Sequence, residues 1–168
     1  IKNMKLYNEI EQTIRNHNIC FRLKHSQTNM EIRNAIRWIM RDNPDIFWFA
    51  HQYHYDEASS TIHFQYTFSA ERVKTIQQSI NDVIENDFCI EYVKNLTRQE
   101  QVAYVYKWLV TYCIYNANSA YNQSIYSVFV RRNSVCTGYA KAAQYLFNLL
   151  GIESCLVFGR LHNDKEDG

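Results

Sequence analysis

The stretch IFWFAHQYHYDEASSTIHFQYTF, residues 46–68, limits the fold more than any other part of the chain. Apolar and polar residues alternate on both sides of a polar turn. Side chains two positions apart in an extended strand share a face. Phe47, Phe49, His51, Tyr53 and Tyr55 therefore fall on one face of a first strand, and Ile62, Phe64, Tyr66 and Phe68 on one face of a second. Joined through Asp56–Thr61, they predict a β-hairpin. A face this aromatic is expected to be the core of its lobe rather than an open binding surface.

Helices are predicted on both sides of the hairpin. Residues 5–17 carry a helical pattern, and Ile19–Leu23 alternates as a short strand. Thr28-Asn29-Met30-Glu31 has the spacing of a capping box, in which the Thr hydroxyl and the Glu carboxylate each accept from the other's backbone N–H. Ile32, Ala35, Ile36, Ile39 and Met40 then recur at helical spacing, and Pro44, the only proline, ends that helix. Val73, Ile76, Ile80, Val83 and Ile84 give a third amphipathic helix. Helices around a hairpin make an N-terminal α+β lobe, expected over residues 1–90.

A second unit is expected over residues 91–168. Thr97-Arg98-Gln99-Glu100 repeats the capping box, and Val102, Val105, Tyr106, Leu109 and Val110 predict the buried stripe of the helix behind it. NANSAYNQS reads as a loop. A further helix is predicted from Cys136, with Tyr139, Ala143, Leu146, Phe147 and Leu150 as its inner face. Gly151 stands where a C-terminal cap needs positive φ. SCLVFG is expected to be a buried strand and HNDKEDG a solvated loop.

Charge and cysteine usage exclude several classes. With 18 Lys+Arg against 17 Asp+Glu, no basic excess points to nucleic acid. Polar residues interrupt the apolar runs, so no membrane span is predicted. Cys20, Cys89, Cys113, Cys136 and Cys155 contain no CxxC pair, against zinc-ribbon and thioredoxin readings. Their odd number argues against a fully paired disulfide framework, though two bridges and a free thiol remain open. His51 and His54 are expected on opposite strand faces; His54 and His63 can face each other across the hairpin. Two ligands do not make a metal centre, so no metal and no other cofactor is expected. Asn95-Leu96-Thr97 and Asn122-Gln123-Ser124 match glycosylation sequons, a pattern that also arises by chance. The chain opens on Ile1 without an initiator Met or an apolar leader, as an excised or trimmed domain would.

Cys136 is the residue with chemical potential. A cysteine in the first turn of a helix faces unpaired backbone N–H groups and the positive end of the helix dipole, both of which favour thiolate. The same N–H groups suit the oxyanion of a tetrahedral intermediate. Gly138 is expected to let substrate approach the backbone. The residues alone permit a nucleophile without demanding one, and they favour a small buried structural cysteine. Arg131 and Arg132, just before the motif, fit either an acidic substrate group or a solvated loop.

SVCTGYAKAAQYLFNLLGIESCLVFGRL resembles the nucleophile segment of the transglutaminase-like superfamily, whose members share a papain-related core. Val135-Cys136-Thr137-Gly138-Tyr139-Ala140, Leu150-Gly151-Ile152 and Val157-Phe158-Gly159 match the family's V-C-x-G-Y-A run, its Leu-Gly-Ile turn and its Gly-ended strand. The upstream helix with Trp108, then Tyr115 and Ser127, is similar to bacterial members, and DNPDIFWF resembles the lobe preceding their domain. The resemblance implies an α+β fold: a helix and hairpin lobe, then the helical half and first strand of a transglutaminase-like domain. It implies acyl transfer or amide hydrolysis through a Cys136 thioester on a protein or peptide substrate. Val135, Thr137, Gly138 and Tyr139 would lie near substrate and oxyanion. Likeness to bacterial members points to secretion or the cell envelope.

The family's catalytic His follows its Gly-ended strand, and its Asp lies on the next. His162 lacks the aromatic-Asn setting of that histidine, and Asp164 and Asp167 read as loop acids. A missing C-terminal segment is therefore expected to complete the site. The rival expectation is a non-catalytic interaction module that keeps the fold.

Overall fold

The structure, a computed structural model, describes residues 3–159. It is α+β. Helix α1 (Met4–Arg15) packs beside α2 (Asn29–Asp42), whose buried face is Ile32, Ala35, Ile36, Ile39 and Met40, as the periodicity predicts. The Thr28 capping box forms, with Thr28 N–H donating to the Glu31 carboxylate at 2.8 Å and Glu31 N–H to the Thr28 hydroxyl at 3.2 Å. Arg15 ties the chain beyond α2 back to α1, donating to Asp45 at 2.6 Å, Asn43 at 2.7 Å and Glu11 at 2.8 Å.

The hairpin is part of a three-stranded antiparallel sheet of β1 (Cys20–Arg22), β2 (Phe49–Asp56) and β3 (Thr61–Tyr66), in the order β1-β3-β2. Phe47 and Phe68 flank the strands rather than belong to them. The pairing of β2 with β3 is also interrupted. Phe49 stands opposite Tyr66, but Gln52 stands opposite Gln65, so Ala50 and His51 are extra residues in a bulge. Two extra residues preserve parity. Phe49, Tyr53 and Tyr55 thus stay on the face of Tyr66, Phe64 and Ile62, while His51 is turned out at φ 58°.

Helix α3 (Ala70–Asp82) buries Ile76 and Ile80 and runs into a π-helical turn, Val83–Asp87, that buries Ile84. The short α4 (Ile90–Lys94) leads to α5 (Arg98–Tyr112), headed by the second capping box. The buried stripe of α5 is not the one expected. Val105 and Leu109 are inside, but Val102, Tyr106 and Val110 are 43%, 70% and 51% exposed. Gln101 is buried in their place, with Tyr104, Trp108 and Tyr112 packed alongside. This helix has apolar residues all round, so hydrophobicity does not set its phase. The polar tips do: Tyr104 donates to the Phe88 carbonyl at 3.3 Å, Trp108 to Asp87 at 3.2 Å and Tyr112 to Phe129 at 2.8 Å.

Beyond α5, the two-residue strands β4 (Ile114–Tyr115) and β5 (Asn133–Ser134) pair in parallel around the short α6 (Ile125–Phe129). Helix α7 (Cys136–Leu149) follows at once. It ends in a Schellman cap: Gly151, at φ 66°, donates to Asn148 at 3.1 Å, and Ile152 donates to Phe147 at 2.8 Å. The strand expected over SCLVFG is absent. None of residues 154–159 pairs in a ladder among the described residues, and Val157 is 87% exposed. An apolar run becomes a strand only where another backbone offers it donors and acceptors.

Buried residues from Leu6 to Leu146 form one connected core. Phe68, at the end of the hairpin, meets Tyr126 of α6 with ring centroids 5.1 Å apart. Among the described residues no helix is long and apolar enough to cross a membrane.

Candidate functional site

The head of α7 is held from several sides. Ile114 N–H donates to the Arg132 carbonyl at 2.9 Å and Asn116 N–H to Ser134 at 2.8 Å, which lays β5 beside β4. Val135 is extended, and its N–H donates to the Asn122 carbonyl at 3.2 Å. Beneath this turn Ser134 and Ser127 are both fully buried, with their hydroxyl oxygens 2.7 Å apart. Ser134 donates onward to the Asn122 carbonyl at 2.7 Å, and the Ser127 hydroxyl, with one proton, has two acceptors at 2.7 Å, the Ser134 hydroxyl and the Ser124 carbonyl. Gly138 closes over the pair. The room beside it, expected for substrate, is filled by the Ser134 hydroxyl.

Cys136 is the first residue of α7, and its side chain is exposed. The first intrahelical bond runs from Tyr139 N–H to the Val135 carbonyl at 3.1 Å, and no side chain caps the helix. The N–H groups of Cys136 and Thr137 thus sit at the open, positive end of the helix. All five cysteines are free, and Cys113 alone is buried. Tyr139 donates to the Cys113 carbonyl and stacks over Tyr115 with ring centroids 6.5 Å apart; burial pushes its own titration upward.

Thr137 and Lys141, one turn apart on α7, face a cleft of about 570 Å³ whose opposite wall is α2. Lys141 is only 6% exposed. Among the described residues no hydrogen-bond acceptor or carboxylate pairs with its amine, and burial pushes it down to about 8. His51 faces the same cleft from the β2 bulge, its ring stacked on Phe49 with centroids 5.8 Å apart. His51 is an exposed residue. The protein packed around it, and then the charge of Lys141, still push it down to about 4. The sequence reading missed both residues. A helical wheel placing Lys141 with Gly138, Ala142 and Tyr145 would have found the lysine; the bulge has no comparable signal.

Other candidates take structural places. His54 and His63 stand opposite each other with rings 6.4 Å apart, and His63 also faces Cys20. Among the described residues no group of three His, Cys, Asp or Glu side chains is arranged to hold a metal ion. Arg132 pairs with Asp87 at 3.3 Å and lies 4.4 Å over the Tyr112 ring, whereas Arg131 is exposed. His162, Asp164 and Asp167 lie outside the described residues.

Residues 86–167 match the family model of the transglutaminase-like superfamily. This segment belongs to that superfamily. The match starts in the π-helical turn and takes in α4 to α7, with Cys136 at the start of the last helix. Within the transglutaminase-like segment, then, stand the uncapped helix head, the buried serine pair and the Gly-ended cap. No curated protein matches the chain.

Proposed function

We propose that this protein performs thiol-dependent acyl transfer or amide hydrolysis through a Cys136 thioester, on a protein or peptide substrate. One observation carries the reading: in a transglutaminase-like segment, an exposed thiol heads an uncapped helix of 14 residues. The Cys136 thiolate attacks a substrate carbonyl carbon, and the oxygen takes up the negative charge. The N–H groups of Cys136 and Thr137 offer that oxyanion two donors. Collapse of the intermediate breaks the C–N bond, and the amine leaves with a proton. Water then releases an acid, or a second amine a new amide, and the thiol is restored.

A histidine relays the protons and an aspartate orients it in the family's arrangement; for this chain both assignments are open to experiment. Residues 1–90 are read as a lobe that supports the catalytic segment of residues 91–168. Val135 sets the direction of entry into α7 and Tyr139 anchors its first turn, so both act on the thiol through position.

Acyl trapping tests the proposal. The protein is incubated with a glutamine-containing peptide, quenched in acid and digested, and the Cys136 peptide is weighed by mass spectrometry. An acyl adduct on Cys136 that hydroxylamine removes, and that Cys136→Ala lacks, is the expected result. A folded protein that forms no adduct, and whose Cys136 labels no faster with iodoacetamide than exposed Cys20, supports a non-catalytic interaction module instead.

A further inference from the structure

We propose that the cleft between α2 and α7 binds an extended acidic peptide, its carboxylates paired with Arg33, Arg37 and Arg41. The three arginines recur every fourth residue of α2 and all line the cleft. On helix geometry their Cα atoms step by about 6 Å and span about 12 Å. Side chains on one face of an extended peptide recur every ~6.8 Å. Carboxylates at alternate residues of such a peptide therefore meet the row of guanidinium groups nearly in step, each able to form a planar two-bond pair.

The opposite wall agrees. Lys141, a side chain only 6% exposed, brings its amine to the cleft, and among the described residues no Asp or Glu lines it. Among the described residues no carboxylate pairs with that amine, and a ligand carboxylate supplies the opposite charge. Ile36, Met40, Tyr53 and Phe158 give an apolar floor for the side chains between the carboxylates. Arg41 is already positioned, 5.4 Å over the Trp38 ring and 5.0 Å over that of Phe158, which lowers the entropy lost on binding. A single phosphate would call for donors converging on one point. Here the cations are strung along a helix, which suits a chain of anions. Because Thr137 lines the cleft, a bound peptide passes beside the residue that follows Cys136. The inference holds whether or not Cys136 is a nucleophile.

The test is fluorescence anisotropy with a labelled synthetic peptide alternating Glu and Val, using the full chain carrying Cys136→Ala. The same peptide with Gln for Glu is expected to bind at least about tenfold more weakly. Arg33→Glu with Arg37→Glu, both at exposed positions, should lower affinity for the Glu peptide by about tenfold or more. Lys141→Met should also weaken it, while Arg72→Glu, an exposed arginine of α3, should leave it unchanged. Circular dichroism establishes that each variant is folded. Equal binding of the two peptides, or full affinity in the folded Arg33/Arg37 variant, overturns the proposal. Inorganic phosphate that displaces the peptide at equal concentration overturns the peptide assignment in favour of a small anion.

Discussion

The Ser134 Oγ occupies the space that a side chain at position 138 would need: a Cβ on Gly138 would fall 1.9 Å from it and 2.8 Å from the Asn122 carbonyl oxygen. Gly138 is thus a packing requirement of the α7 head, and Cys136 two residues earlier depends on it for its position. Gly138→Ala should destabilise the fold by roughly 1–3 kcal/mol, read from urea denaturation. Adding Ser134→Ala to that variant removes the nearer clash and leaves the carbonyl contact. The double variant should therefore lose clearly less than the sum of the two single losses. Strict additivity would show that the two positions do not share this space.

Lys141 makes stability depend on pH in the alkaline range. An unfolded lysine titrates near 10.4, whereas burial holds the folded one at about 8. Below the folded value both states are protonated, and the fold bears the full cost of the buried charge. As pH rises from about 8 towards ~10.4 the unfolded state binds more protons, so stability increases and the cost disappears. The shift corresponds to roughly 3 kcal/mol. Lys141→Met should therefore be more stable than the parent near neutral pH, and the difference should shrink towards pH ~10. A difference that stays constant across this range would remove the buried charge as its cause.

Cys113 should resist alkylation in the native state. It is 3% exposed, burial pushes its thiol up, and Tyr139 donates to its carbonyl oxygen. Reaction with iodoacetamide then requires local opening. The exposed cysteines should label first, with Cys136 ahead of Cys20, Cys89 and Cys155. Tyr139→Phe removes one tie between α7 and the end of α5 and should speed Cys113 labelling, followed by mass spectrometry of quenched digests. Unchanged protection in that variant would mean packing alone guards the thiol.

Features whose physics is local were legible in the sequence. Both capping boxes, the buried face of α2, the hairpin register that sets His54 against His63, and the positive φ of Gly151 each depend on a few neighbouring residues. Features decided by a distant partner were not. The bulge at His51 leaves no mark in the alternation, because an even insertion preserves the faces. SCLVFG has the composition of a strand, but composition supplies no pairing backbone. At the site, the helix that opens on Cys136 was readable from its neighbours. The lysine beside it was within reach of the helical wheel, but the serine pair beneath it joins α6 to β5, a packing that local pattern does not contain.

The phase of α5 gives a final, independent test of how the transglutaminase-like segment packs. Leu109 is 4% exposed and Val105 1%, whereas one position on from each, Val110 and Tyr106 are open to solvent. Leu109→Ala should cost about 2–5 kcal/mol, because it removes buried methyl groups and leaves a cavity. Val110→Ala and Tyr106→Ala remove little buried surface and should stay within about 0.5 kcal/mol of the parent. Gln101→Ala is the sharper probe. Its amide donates to the Val93 carbonyl at 3.2 Å inside the core, where the Leu96 N–H also donates to that oxygen at 3.1 Å, so its loss removes one of the donors and costs about 1 kcal/mol. The phase predicted by hydrophobicity alone puts Val110 and Tyr106 inside and Gln101 in water, and so reverses the order of these variants. Urea midpoints ranking Val110→Ala and Tyr106→Ala below Gln101→Ala would show that the helix is turned by that one position, with Tyr104, Trp108 and Tyr112 rotated away from their carbonyl acceptors.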